Sequence, residues 1–252
     1  ARDLARRHRV ARAPRSLNGA APMRIAGVMV ARNEEDILEA SVRHNLRVLD
    51  AITVVDHAST DATPAILASL AAEGLPIEVL RDDSLGFDQS KVTTAHVRRI
   101  LASGADLCIP IDADEFVRMP SREAFERAVA AGDPAIPLAM PWLTYLPDFD
   151  APGDIVAKLR RARRKPTETH NLYKVIVRRS FVDTPGATVG VGNHNVIPAD
   201  ASADNPHLMV PASLAAMAHV PVRSVGQYVA KIATGHLSRL LANPNETVDG
   251  FH

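Results

Sequence analysis

Residues 107–116 read Leu-Cys-Ile-Pro-Ile-Asp-Ala-Asp-Glu-Phe, an apolar run that stops at three carboxylates, Asp112, Asp114 and Glu115. Such a run reads as a buried strand of a parallel sheet. In open α/β sheets, ligands sit beyond the carboxyl ends of the strands. Three acids placed there repel one another and lose hydration, so they need a compensating cation. Oxygen ligands suit Mg²⁺ or Mn²⁺, ions that commonly bridge phosphates. The first reading is a metal-assisted site for a phosphorylated substrate. Two earlier apolar runs also end in polar residues, one at Ala31-Arg32-Asn33-Glu34 and one at Asp56-His57. Alone, Asp56 has a turn or helix-cap acid as its alternative reading, because Ser59, Thr60 and Asp61 follow it. With acids at three strand ends, the signal is stronger than any one of them.

The elements that must position these residues alternate. Strand patterns at 24–31, 51–55, 76–80 and 107–111 are separated by helical patterns after Asn33, at 63–72 and at 91–102. Asn33 is expected to cap the first helix, with acids in its first turn. Pro64 fits a first turn, and Gly104 ends the third helix. This is the order of an α/β fold with a doubly wound, mostly parallel sheet flanked by helices. After residue 117 the pattern is less regular. Strands are expected at 134–142, 172–178 and 212–220, short strands and turns at 186–198, and a helix at 224–241. No linker separates the halves, so a single domain is expected over 23–241.

The chain has 252 residues, 46% of them hydrophobic, with a formal net charge of zero, so no global field argues for nucleic acid. The one cysteine, Cys108, cannot form an internal disulfide, which fits a reducing, cytoplasmic setting. No apolar segment approaches the length of a membrane helix. Residues 1–22 carry six arginines and read as a basic arm or a linker. Residues 242–252 read as a tail with no closing element, as expected of a piece of a longer chain.

Arg32-Asn33-Glu34-Glu35, then Val54-Val55-Asp56-His57-Ala58-Ser59-Thr60-Asp61, then Ile111-Asp112-Ala113-Asp114-Glu115-Phe116 resemble the motifs of family 2 glycosyltransferases in their order. Trp142-Leu143-Thr144-Tyr145 and His219-Val220-Pro221-Val222-Arg223-Ser224 resemble a subgroup with an Asp-Ala-Asp-Glu-Phe metal motif. The resemblance is good over 24–118 and thinner to about 240. It implies the GT-A fold, with a nucleotide-binding half (23–118) and an acceptor-binding half (119–241). It also implies transfer of a sugar from a nucleotide diphosphate sugar, with UDP the expected nucleotide, to a glycan or lipid-linked glycan, with inversion. Val30, Ala31, Arg32 and Glu34 would hold base and ribose, with Asp56 and His57 beside the base. The family usually has a second acid where His57 stands. Gln89 and Lys91 lie where the family brings another nucleotide contact. Asp112 and Ala113 would face the ribose and diphosphate, and Asp114 would be the direct metal ligand.

Several residues keep two readings. His219 is a third metal ligand, favouring Mn²⁺, or a structural histidine. Arg223 pairs with the diphosphate or sits on a helix start. The general base that inversion needs is His194, with Asp148 and Glu115 as competitors. Trp142 and Tyr145 stack on an acceptor sugar or pack in the core. His170 and His207 read as loop residues. The basic run 158–165 is a solvated face, or a lid or contact to an anionic, lipid-linked acceptor, which would give peripheral membrane association. Two rival functions stand: a nucleotidyltransferase on sugar phosphates, and a non-catalytic nucleotide- or glycan-binding module. The first usually needs a glycine-rich loop after the first strand, and none is present.

Overall fold

The computed structural model describes residues 22–84, 86, 88–168, 172–200, 202–203 and 205–242. The basic arm, the tail and His170 lie outside these residues, apart from Pro22 and Ala242.

The front half follows the alternating pattern closely. Strands β1 (Ile25–Ala31), β2 (Ala51–His57), β3 (Ile77–Asp82) and β4 (Leu107–Asp112) alternate with helices α1 (Leu38–Asn45), α2 (Thr63–Ala72) and α3 (Gln89–Ala102). The strands pair in parallel in the order β3-β2-β1-β4. Side chains alternate across the sheet. Ile25 and Met29 pack with Leu38, Leu67 and Phe125 on one face, and Ala26 and Val28 pack with Val97 and Leu101 of α3 on the other. Both faces are therefore covered, as the continuous apolar strands require. Pro110 lacks a ladder N–H yet sits in β4, just past Cys108, the last β4 residue paired with the next strand.

Asn33 does not cap α1. It adopts φ 55°, its Oδ1 accepts from the Thr60 amide, and α1 begins only at Leu38. The polar stretch before α1 is instead a turn tied to the loop after β2.

The back half is β5 (Glu115–Arg118), α4 (Arg122–Ala130), β6 (Leu138–Leu146), α5 (Ile155–Leu159), β7 (Arg163–Arg164), β8 (Tyr173–Arg178), β9 (Thr188–Val189), β10 (Val196–Ile197), β11 (Leu208–Met209), β12 (Ala216–His219) and α6 (Val225–Ala242). The sheet continues β4-β8-β6-β12-β5, while β9 and β10 form a separate pair. The strands at 138–146 and 216–219 start later than the sequence pattern suggests. β5 and α4 were not expected at all.

This order fixes the shape of the site. Only Ala113 and Asp114 separate β4 from β5, a chain reach of about 10 Å. Four strand steps in a flat sheet would span about 19 Å. The far edge must therefore curl back over the end of β4. That curl brings β6, β8 and β12 around the acidic motif. It also makes the two halves one domain, because the sheet runs through both.

Candidate active site at the carboxyl edge of the sheet

The register places the three acidic strand ends side by side: Ala31 pairs with Asp56, and Val30 with Asp112. Asp114 is the hub. It is buried, and its Oδ2 receives Lys231 Nζ at 2.5 Å, Arg223 Nη1 at 3.5 Å and His219 Nε2 at 3.7 Å. Burial pulls its pKa up, but Lys231, His219 and Arg223 together reverse this and hold it well below the usual carboxylate range. Its Oδ1 is buried without a hydrogen-bond partner among the described residues.

Asp112 meets a different set of partners. Lys174 Nζ lies 2.9 Å from its Oδ2, while Gln89 and Asn193 amides approach Oδ1 at 3.5 and 3.4 Å. Lys174 is buried in β8 and also pairs with Glu115 at 2.9 Å. Glu115 has no exposed surface. Its Oε1 accepts from Trp142 Nε1 at 2.7 Å, and its Oε2 accepts the Asp112 amide at 2.9 Å. Burial, with Asp112 adding repulsion against the pull of Lys174, raises its pKa to about 7. Glu115 thus orients its neighbours from beneath and presents no oxygen to an acceptor. Trp142 stacks on His219 at 4.2 Å, so that ring face is already covered. Tyr145 accepts a hydrogen bond from Arg118.

At the first strand end, Val30 and Arg32 are half-buried and Ala31 and Glu34 buried. Glu34 pairs with Arg223, which also bonds Asp36 at 2.8 Å. Burial and Asp114 raise the Glu34 pKa to about 7. Arg223 is not a surface residue: its side chain is 1% exposed and tied to carboxylates. At the second end, Asp56 is buried, accepting from the Ser59 amide and from Arg81 at 3.0 Å, and His57 is buried beside it.

His194 reaches the site through a turn. Its Nδ1 lies 2.7 Å from the Tyr173 carbonyl, and its ring meets Trp142 edge-on. A carbonyl only accepts, so Nδ1 carries the proton and Nε2 keeps a lone pair when the ring is neutral. Burial lowers its pKa, which favours that neutral form. Gln89 braces the turn by accepting the Gly192 amide. His207 accepts the Val196 amide. Lys91 stands exposed on α3, and Asp148 lies in the turn after β6; neither joins these contacts.

Lys174, Asn193 and Lys231 were not anticipated. Lys174 lies inside an apolar strand, a misplaced charge that could have signalled a partner. Lys231 stands four residues after Gln227 and eight after Arg223, one face of a helix.

The residues present fit a divalent cation. Five carboxylates (Glu34, Asp36, Asp112, Asp114 and Glu115) meet three side-chain cations, Lys174, Arg223 and Lys231. Two negative charges remain when all are ionised, and burial, with repulsion from Asp114 and Asp112 added to it, raises Glu34 and Glu115. A dication would close the difference, with the unpartnered Asp114 Oδ1 available to it. Among the described residues, no three His, Cys, Asp or Glu side chains converge into a ready metal cage. Asp112, Asp114 and His219 therefore do not form a complete ligand set by themselves.

Residues 28–121, which span most of β1 through the whole of β5, match the family model Glycosyl transferase family 2. No curated protein matches the chain. Among solved structures, it is similar to the mannosyltransferase PcManGT from Pyrobaculum calidifontis in complex with GDP-Man and Mn²⁺. That likeness has 16% identity and a TM-score of 0.45, and covers 90% of this chain and 66% of that one. Glucosyl-3-phosphoglycerate synthase from Mycobacterium tuberculosis, with Mn²⁺, UDP and glucosyl-3-phosphoglycerate, gives 20% identity and a TM-score of 0.34 over 49% of this chain and 45% of that one. GalNAc-T7 with UDP, GalNAc and Mn²⁺ gives 14% and 0.45 over 82% and 44%. The chain thus spans less than two thirds of the length of each. The matched segment covers most of the parallel front half of the sheet and includes all three acidic strand ends.

Proposed function

We propose that the protein moves a sugar from a nucleotide diphosphate sugar, with UDP the expected nucleotide, to a hydroxyl of a glycan or lipid-linked glycan, with inversion. The observation that carries this reading is the register that sets the three acidic strand ends side by side, next to Asp114, whose buried Oδ1 lacks a partner among the described residues. Asp112, Asp114 and His219 would hold Mn²⁺ or Mg²⁺, with donor phosphates completing the shell. That ion supplies stabilisation of the charge that grows on the departing diphosphate. His194 takes the acceptor proton on Nε2, because Glu115 is sealed and Asp148 stands outside the cluster. The strand ends at Val30–Glu34 and at Asp56-His57 bind the nucleoside, and 119–241 binds the acceptor. The matching front motifs and Trp142–Tyr145 support the Asp-Ala-Asp-Glu-Phe subgroup.

No helix among the described residues is long and apolar enough to cross a membrane. We place the reaction in the cytoplasm, with the basic run 158–165, at the end of α5 and in β7, as the contact to a lipid-linked acceptor.

The test is product analysis on a panel of nucleotide sugars with Mn²⁺. Release of a nucleoside diphosphate, lost in Asp114→Asn while the fold is retained, is the expected result. Pyrophosphate as product would replace this reading with a nucleotidyltransferase. Donor binding without turnover on any acceptor or water would make the protein a binding module.

A further inference from the structure

Three side-chain cations pair with the acidic cluster, and they are not equivalent. Lys174 and Arg223 are each 1% exposed, and each holds at least two carboxylates. Lys231 is 43% exposed at its side chain, and Asp114 is its one hydrogen-bonded carboxylate among the described residues. It also reaches the site from an unusual helix. Ser224 Oγ accepts the Gln227 amide, and Gln227 Oε1 accepts the Arg223 amide. The four-residue spacing of Arg223, Gln227 and Lys231 aligns them along one side of α6 and its entry. The apolar residues of α6 point elsewhere: Val225 is 81% exposed and Val229 59%. This helix is therefore seated on the body by its polar seam, with Lys231 as the more exposed of the seam's two charges.

Lys231 Nζ contacts Asp114 Oδ2, on the same carboxylate whose unpartnered Oδ1 is open to a divalent cation. An ammonium at 2.5 Å from one oxygen and a dication on the other would share a single carboxylate, and like charges at such separation repel strongly. Arg223 stays in place through Glu34 and Asp36, and Lys174 through Asp112 and Glu115. Lys231 alone has both the exposure and the flexible four-carbon stem to leave.

We propose that Lys231 is a diphosphate-binding residue. It neutralises Asp114 in the absence of metal, and when a divalent cation takes that carboxylate its ammonium turns to the diphosphate of the donor. This rests on the glycosyltransferase reading above. A diphosphate held by a cation on Asp114 would bring new anionic oxygens within reach of the lysine that leaves it. A lysine is suited to them as a mobile point charge.

The test separates the two halves of the exchange. Mn²⁺ affinity is measured by calorimetry without nucleotide, and UDP and GDP affinities are measured with saturating Mn²⁺. The variants are Lys231→Met and Lys231→Gln, with Lys231→Arg as the charge-retaining control. Removing the competing ammonium should tighten Mn²⁺ binding about tenfold, and losing a charge-assisted contact should weaken the nucleoside diphosphate about tenfold or more. Lys231→Arg should restore most of the nucleotide affinity. Unchanged Mn²⁺ and nucleotide affinities in both neutral variants overturn the proposal. Tighter Mn²⁺ with unchanged nucleotide affinity overturns the move to the diphosphate. A wild-type protein that binds neither UDP nor GDP with Mn²⁺ defeats the glycosyltransferase reading itself. In that case the Mn²⁺ arm still decides whether Lys231 competes for Asp114.

Discussion

His194 has one ring nitrogen tied to the Tyr173 carbonyl, so its chemistry rests on the other. In a neutral ring that other nitrogen, Nε2, is the acceptor a general base needs. Its lowered pKa gives the sign of the pH dependence that role requires: a base at His194 would be competent at pH 7 and lost only as pH falls below the ordinary value of about 6.5. His194→Gln should lower kcat by about 10²–10⁴ and remove that acid limb from the kcat profile. An unchanged acid limb in the variant would assign the base elsewhere. Asp114 makes a different kind of contribution. Asp114→Asn keeps the shape but leaves Lys231 and Arg223 facing a neutral amide. Turnover should fall by about 10²–10³, the scale of losing one preorganised electrostatic group. Circular dichroism should show the fold retained, and turnover near the wild-type rate would sink the metal-ligand role. Both residues were legible as candidates from the sequence. Among the cations of the cluster Arg223 was legible too, but Lys174 and Lys231 were not, because they come from a strand and a helix remote in the chain.

At the scale of elements, the turn before His194 shows how local backbone sets a distant chemistry. Gly192 adopts φ 73°, and a Cβ there would meet His194 Cδ2 at 2.6 Å. Only glycine gives both the left-handed backbone and the room for the ring. Gly192→Ala should cost about 1–2 kcal/mol of stability from the backbone alone. It should also lower kcat more than KM is changed, since the imidazole is pushed aside while Asp112 and Asp114 stay in place. A kcat equal to wild type would show that the turn does not position the base. The front elements were readable because apolar runs of strand length alternate with longer helical patterns, even though Asn33 does not cap the first of them. β5 was missed because four residues, half of them buried, carry too little periodicity. α4 was missed although Ser121 caps it by accepting the Ala124 amide. Its core-facing residues are just Phe125 and Val129, one turn apart, against otherwise charged positions.

At the scale of the whole molecule, the curl of the sheet is what concentrates charge. No stretch of sequence shows five acids together; the short β4–β5 turn and the return of β12 assemble them. The concentration has a measurable consequence in stability. Glu115 ionises near pH 7 in the folded protein, against an ordinary value of 4.5. Between these values the folded state binds more protons than the unfolded chain, so this carboxyl favours folding at low pH. Its contribution declines as pH rises through 7. Histidines with lowered values, such as His44 and His194, act in the opposite direction, because they lose stability as pH falls through 6.5. The wild-type curve alone therefore mixes two signs. Glu115→Gln isolates one of them, since it keeps the oxygen that receives Trp142 and removes the titration. The difference in melting temperature, variant minus wild type, should rise from pH 5 to pH 8 in metal-free protein. Saturating Mn²⁺ should flatten that rise, because a bound dication favours the ionised carboxylates around it. A difference that falls with pH would mean that Glu115 is stabilised as a carboxylate by Lys174, and that the acidic cluster is already neutral without metal.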